Sequence, residues 1–98
     1  MTQPDTILAT AFDPDGREVV LTAGRWQHIT SGHPELGGLQ HATLDAVRRP
    51  GRHLREARPA EDWYYAAGVG PSRWLKVVVT YAQGRGLIVT AFARRRTP

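Results

Sequence analysis

The chain has 98 residues, of which 41% are hydrophobic and 22% are charged, and this composition is typical of a folded domain rather than a disordered chain. Its length accommodates one domain, because chains divide into separate cores only beyond roughly 250 residues. The sequence contains no cysteine. This excludes disulfide frameworks, thiolate nucleophiles and cysteine-based zinc sites, and it favours a reducing compartment.

The charge balance is basic. Thirteen Lys and Arg residues against nine Asp and Glu give a formal net charge of +4, and every basic residue except Lys76 is an arginine. Arginine binds phosphate through two parallel hydrogen bonds, so we expect a nucleic acid or another polyanion as partner, although a GC-rich genome also favours arginine over lysine. The R-R-R-T-P tail is either a phosphate-binding arm or a solvated terminus.

The apolar residues are spread along the chain in short runs. No stretch reaches the roughly 18 consecutive apolar residues that a membrane span requires. We therefore expect a soluble protein with no membrane partner, either cytoplasmic or delivered into a target cell as an effector. The sequence leaves its oligomeric state open.

The first elements in chain order are predicted to be a β-hairpin and a helix. Apolar runs over 7–12 and 17–21 flank a Pro-Asp-Gly turn, which is typical of two paired strands. The hydroxyl of Thr22 can cap a helix over 23–32. That helix should end before Pro34, because the residue preceding a proline avoids the helical conformation.

A second helical stretch is predicted over 35–48, where apolar residues recur at spacings of three and four. The pair Gly37 and Gly38 weakens its first turn and can split it. The rest of the chain alternates with period two, as β-strands do. Four strands are predicted, over 53–57, 62–67, 73–81 and 86–93.

This order, ββααββββ, predicts an α+β fold in which the N-terminal helices pack on one face of a curved antiparallel β-sheet. We expect one domain over 1–98, with a hairpin at 6–22, helices at 23–49 and antiparallel strands at 52–94. The second face of such a sheet would be open to a ligand.

Two histidines and a carboxylate lie close together near the end of the first helix: His28, His33 and Glu35. Imidazole suits proton transfer at neutral pH, because its unperturbed pKa is near 6.5. The histidines are five residues apart across a helix break, which is not the spacing of a helical metal site, so no metal is expected. The alternative is structural: His28 packs or caps, and His33 accompanies the proline turn.

Two strand residues are further candidates. Lys76 should share a strand face with Trp74, Val78 and Thr80, from which it can reach a phosphate or remain in solvent. Thr90, placed with Ile88 and Phe92, offers a hydroxyl for a phosphoryl oxygen, although threonine is also a common strand residue.

The aromatic run 63–65 stands near Arg52, Arg55 and Arg58. Rings that stack on bases and cations that bind the backbone are what single-stranded RNA requires. Since alternate strand residues face opposite ways, either Tyr64 alone or the pair Trp63 and Tyr65 can form the stacking platform.

The motifs W-x-H-I-x-x-x-H-P-E-L, T-L-D-A-V-R-R-P, W-Y-Y, K-V-V-V and I-V-T-A-F occur in this order between about residues 25 and 94. Together they resemble the barnase–EndoU–colicin–RelE (BECR) nuclease superfamily, and within it a phage-associated branch of predicted nucleases. The resemblance does not cover the first hairpin. It implies a small toxin- or effector-like domain that cleaves RNA without a metal or other cofactor.

Carried over by position, the resemblance assigns the helix histidine to His28, the H-P-E element to His33 and Glu35, and the terminal threonine to Thr90. Lys76 and Tyr64 match substrate-contacting strand positions more loosely.

RNA cleavage needs a base, an acid and positive charge near the phosphate. In this reading His28, His33, Thr90 and Lys76 are catalytic, and His28→Ala should lose at least about a hundredfold in rate. Substrate-binding residues would be Glu35, Arg52, Arg55, Tyr64 and Arg73. A toxin would also imply an acidic antitoxin or immunity protein. Two alternatives remain: a non-catalytic module that binds nucleic acid or protein, and an inactive helper domain of phage origin.

Overall fold

A computed structural model describes residues 3–98 as an α+β fold with two helices and one six-stranded sheet. The elements are β1 (Ile7–Phe12), β2 (Glu18–Thr22), α1 (Ala23–Gly32), α2 (Gln40–Arg48), β3 (Arg52–Arg58), β4 (Glu61–Ala67), β5 (Trp74–Ala82) and β6 (Arg85–Arg94). No helix in this part of the chain is long and apolar enough to cross a membrane.

The first helix begins and ends where the sequence predicts. Thr22 adopts an extended conformation, and its Oγ1 accepts a hydrogen bond from the backbone N–H of Arg25 at 3.3 Å. This bond satisfies one of the amide groups that the first helical turn leaves without an intrahelical partner. The last residue of α1 is Gly32, directly before the His33–Pro34 step.

The predicted second helix is shorter than expected. A 3-10 turn covers Pro34–Leu36, and α2 starts only at Gln40. Gly37 and Gly38 lie between the two, and glycine in a helix interior costs about 1 kcal/mol relative to alanine. The two glycines therefore divide the predicted helix into a 3-10 turn and a shorter α-helix.

The sheet is mixed, with the strand order β1-β2-β6-β5-β4-β3. Its β2–β6 pair is parallel, with Val19 opposite Gly86, and its other pairs are antiparallel. The prediction of an antiparallel sheet therefore needs correction. The last strand returns beside the first hairpin after a connection that contains both helices and the strands β3, β4 and β5, and parallel pairing requires a long connection of this kind.

Both helices contribute to one core on one face of the sheet. Ile29 of α1 and Val47 of α2 are fully buried, as are Leu75, Val77 and Val79 of β5. Because side chains alternate along a strand, the residues between these three on β5 point to the opposite face, which we call the outer face.

Candidate nucleic-acid interface

Strand pairing gathers aromatic and basic residues on the outer face. Lys76 of β5 lies between Tyr65 of β4 and Phe92 of β6, and the next outer position, Val78, lies between Trp63 and Thr90. One step further along the sheet, Trp74 pairs with Arg94. The outer-face group is thus Trp63, Tyr65, Trp74, Lys76, Thr90, Phe92 and Arg94.

Lys76 is held by aromatic rings rather than by a carboxylate. Its Nζ lies 3.5 Å from the ring centroid of Trp63, 5.5 Å from that of Phe92 and 5.9 Å from that of Tyr65. We call these three rings the aromatic cage. The lysine is only 6% exposed, and no salt bridge of the described residues includes it.

This environment affects the charge of the lysine. Burial lowers the pKa of Lys76, and the positive charge of Arg94 acts in the same direction. Rings attract a cation through their quadrupoles but do not neutralise it. The cage therefore holds a positive charge close beneath the surface of the outer face.

His33 reaches this group from the helical side. β2 pairs with β6 only as far as Leu87, so the rest of this edge of β6 is open to α1. There the guanidinium of Arg25 donates to the backbone oxygen of Val89. At the end of α1, the ring of His33 stacks on Phe92 with centroids 5.7 Å apart. Phe92 thus belongs to the aromatic cage and also stacks on an imidazole.

The carboxylate of Glu35 lies beside His33. Its Oε1 is 3.5 Å from Nδ1 of the imidazole, and both side chains are about two-fifths exposed. The two residues are therefore close enough for Glu35 to orient the ring, but both remain accessible to solvent.

Thr90 shares the outer face with Phe92, as predicted, but not with Ile88. The register between β5 and β6 shifts there, so that Val78 pairs with Thr90 while Val79 pairs with Ile88. This bulge turns Ile88 into the core, where it is fully buried.

His28 does not join the same group. It is exposed on α1, and no hydrogen bond or salt bridge of the described residues includes it. The structure thus brings His33, Lys76 and Thr90 to one region, whereas it shows no contact between His28 and that region.

Tyr64 requires a correction. It was predicted to bind substrate, but its side chain is fully buried on the core face, stacked on His53 with ring centroids 4.2 Å apart. Its hydroxyl donates to Asp13 at 3.2 Å. A substrate on the outer face cannot touch it, and of the alternative pair, Trp63 and Tyr65, only Trp63 is partly accessible.

The aromatic surface is also wider than that pair. Tyr65 is itself buried, with Trp74 edge-on at 6.4 Å, so the rings that remain partly accessible on the outer face are Trp63, Trp74 and Phe92. Trp74 and Phe92 were not among the predicted site residues. Their alternation with Lys76 and Thr90 along β5 and β6 was the signal that could have identified them.

The three arginines predicted to bind substrate lie in different parts of the molecule. Arg52 is exposed and lies opposite Tyr65, at the side of the outer face. Arg55 instead forms a two-bond ion pair with Asp15 of the β1–β2 turn, at 2.8 and 2.9 Å, which commits it to that turn. Arg73 lines a cavity of about 600 Å³ together with Pro71, Ser72, Arg95 and Arg96.

A second polar cluster, which the sequence analysis did not identify, closes one end of the core. The carboxylate of Asp13 accepts hydrogen bonds from Arg17 and Tyr81, each at 2.8 Å, and Asp62 accepts from another nitrogen of Arg17 at 2.8 Å. His53 Nε2 lies 2.8 Å from the same carboxylate of Asp62.

Burial alone would raise the pKa values of these two carboxyl groups. Hydrogen bonds from Tyr81 to Asp13 and from the backbone of Glu56 to Asp62, together with the charge of Arg17, lower them instead. Burial raises the pKa of Tyr64 and Tyr81. Except for the buried Nδ1 of His53, which has no hydrogen-bond partner, the side chains of this cluster bond to one another, so we interpret it as structural rather than catalytic.

Comparison with known proteins finds no matching family model, no matching curated protein and no matching solved structure. Among residues 3–98, no group of three or more metal-binding side chains is placed to hold a metal ion.

Proposed function

We propose that the protein binds single-stranded RNA on its outer face and cleaves it by acid–base chemistry, as a toxin- or effector-like ribonuclease on a curved, BECR-like sheet. The observation that carries the proposal is the position of Phe92, whose ring stacks on the imidazole of His33 and also belongs to the cage around Lys76. Proton-transfer and charge-stabilising groups therefore flank one surface on which a base can stack.

The residues have distinct roles in this reaction. His33, oriented by Glu35, accepts the proton of the ribose 2′-hydroxyl as the 2′-oxygen attacks phosphorus. The bond from phosphorus to the 5′-oxygen breaks, leaving a 2′,3′-cyclic phosphate on one fragment. The ammonium of Lys76 stabilises the charge on the phosphoryl oxygens and supplies the proton that the 5′-oxygen takes up. Burial supports this second role, because a lysine with a lowered pKa gives up its proton more readily.

Thr90 and the exposed rings position the substrate. Thr90 lies diagonally across the sheet from Lys76, within reach of the same phosphate. Trp63 and Trp74 provide faces for neighbouring bases. Because the surface is basic, a neutralising partner would be an acidic protein that covers the outer face.

The test is incubation of the protein with end-labelled RNA in EDTA. We expect products with cyclic phosphate ends, and a rate loss of about a hundred- to ten-thousand-fold for His33→Ala. His28→Ala is the matched control, since it removes an exposed imidazole five residues earlier, from within α1. If His28→Ala loses cleavage and His33→Ala retains it, the base is His28 and the arrangement proposed here is wrong.

The second candidate is a module that binds RNA without cutting it. It is favoured by the absence of any hydrogen bond that joins His33, Lys76 and Thr90 to one another in the described part of the chain. In that case RNA stays intact in the same assay and shifts in a gel, with affinity that falls steeply as salt increases.

A further inference from the structure

The cavity beside the outer face has a distinctive lining. It measures about 600 Å³, and three of its five lining residues are arginines: Arg73, Arg95 and Arg96. The other two are Pro71 and Ser72, so no carboxylate lines it. Elsewhere in the described chain, most arginines whose side chains contact another side chain form an ion pair with a carboxylate. Arg55 pairs with Asp15 in this way, and Arg85 pairs with Glu18.

The backbone explains why these arginines converge. Trp74 and Arg94 form the last pair of the β5–β6 ladder, so Arg73 and Arg95 continue the chain just beyond it, one from each strand. The loop before β5 turns back on itself through Gly68 and Gly70, which have φ angles of 70° and 79°. The N–H of Gly68 donates to the oxygen of Arg73 at 2.9 Å and closes this loop.

The cavity lies at the end of the sheet where β5 begins and β6 ends, next in the chain to Trp74 and Arg94 of the outer-face group. From Phe92 to Arg94 is two residues along β6, about 7 Å for an extended strand. Beyond Arg94 the chain enters the cavity lining at Arg95. An RNA strand that lies over Phe92 and Lys76 and continues past Trp74 therefore arrives at the three guanidinium groups.

We propose that this cavity binds the backbone phosphates of RNA nucleotides next to the cleavage position. The inference rests on the proposed function in taking RNA as the ligand, and it extends that function by defining a second phosphate subsite. Guanidinium groups suit this role because each can hold two phosphate oxygens at once, and the Ser72 hydroxyl adds a neutral donor.

The test uses a ligand that cannot be cleaved, a hexanucleotide with 2′-O-methyl riboses, in fluorescence anisotropy at several salt concentrations. One variant carries Arg73→Gln, Arg95→Gln and Arg96→Gln. Its control carries Arg48→Gln, Arg49→Gln and Arg85→Gln, which remove the same charge from arginines that have partners elsewhere on the molecule. Thermal unfolding by circular dichroism verifies that both variants are folded.

We expect the cavity variant to bind at least about tenfold more weakly at low salt, while the control keeps an affinity close to that of the wild type. For three lost contacts to single-stranded RNA, the slope of log affinity against log salt should become shallower by about 2. A hexanucleotide with a 5′-phosphate and one with a 5′-hydroxyl should behave alike, because the ligand is the backbone phosphodiester.

Three results would overturn the inference: wild-type affinity and slope in the cavity variant, an equal loss in the control, or a loss seen only with the 5′-phosphorylated ligand. Failure of the inference is separable from failure of the proposed function. Wild-type protein that cleaves RNA while the cavity variant binds normally removes only the subsite. Protein that shows the expected change in slope but never cleaves RNA removes only the catalytic proposal.

Discussion

Replacing Lys76 with methionine separates the contribution of this residue to stability from its contribution to function. The ammonium is in contact with Trp63 and close to the other two rings of the cage. A desolvated cation–π contact of this kind contributes up to about 2 kcal/mol, which the variant loses. Methionine has a similar length and volume, makes favourable contacts with aromatic rings and requires no hydration.

These contributions oppose each other. Because the pKa of Lys76 is lowered in the folded protein, its charged form is less favoured there than in the unfolded chain, and the substitution removes that cost. We therefore expect the free energy of unfolding of Lys76→Met to lie within about 1 kcal/mol of wild type at neutral pH.

The sign of the pH dependence follows from the same shift. Below the folded-state pKa the lysine is charged in both the folded and the unfolded protein, so the full cost of burying its charge lowers the free energy of unfolding. As the pH rises through the folded-state pKa toward the ordinary value of 10.5, the folded protein loses this proton first. The wild type should therefore gain stability relative to Lys76→Met across that window, measured by urea denaturation of both proteins in parallel.

The effect on cleavage should be much larger than the effect on stability. Removing a charge that stabilises the transition state typically costs about a hundred- to a thousandfold in rate. Lys76→Arg is the matched control, because it keeps the charge within the cage and should retain more cleavage than Lys76→Met. A Lys76→Met protein that is folded and cleaves RNA at the wild-type rate would refute the role of this residue.

Two further predictions concern stability. Asp13→Asn should destabilise the fold by about 3 kcal/mol, since it leaves Arg17 and Tyr81 without their buried acceptor. Because the pKa of Asp13 is lowered in the folded protein, its carboxylate stabilises the fold fully above the ordinary value of 3.8, and this stabilisation is lost as the pH falls through the folded-state pKa. Urea denaturation between pH 2 and 7 should therefore show that the free energy of unfolding depends less on acid in the variant than in the wild type. An unchanged dependence would contradict this. Gly86→Ala should cost about 1–3 kcal/mol by overpacking, because a Cβ there would lie 2.8 Å from side-chain atoms of both Tyr81 and Val79. Gly38→Ala, where a Cβ meets nothing within 4 Å, should unfold at nearly the wild-type temperature, and equal losses in the two glycine variants would refute the packing argument.

Part of the candidate site could be predicted from the sequence. Alternation along β5 places Trp74, Lys76 and Thr80 on one face, and the β5–β6 hairpin brings the following strand beside it. The residue types on that face, rings and cations, indicate an anionic ligand with planar groups. The choice between Tyr64 and its neighbours could not be made, because a strand that is aromatic on both faces does not show which face is buried.

The sequence also could not show which of the two histidines, His28 or His33, reaches the outer face. His28 lies within α1 and His33 directly follows it, and their residue type suits the same chemistry. Only the stacking of His33 on Phe92, across an edge of β6 that β2 does not reach, brings one of them to the outer face.

The sequence by itself determined the local structure: the Thr22 cap, the glycine break before α2, the turns and the alternating strands. Each of these depends on residues within a few positions of one another, where backbone geometry and side-chain type act directly. The tertiary structure alone decided the parallel β2–β6 pair, the burial of Tyr64 and the convergence of Arg73 with Arg95. These features join residues that are far apart in the chain, and their positions depend on how the whole core packs.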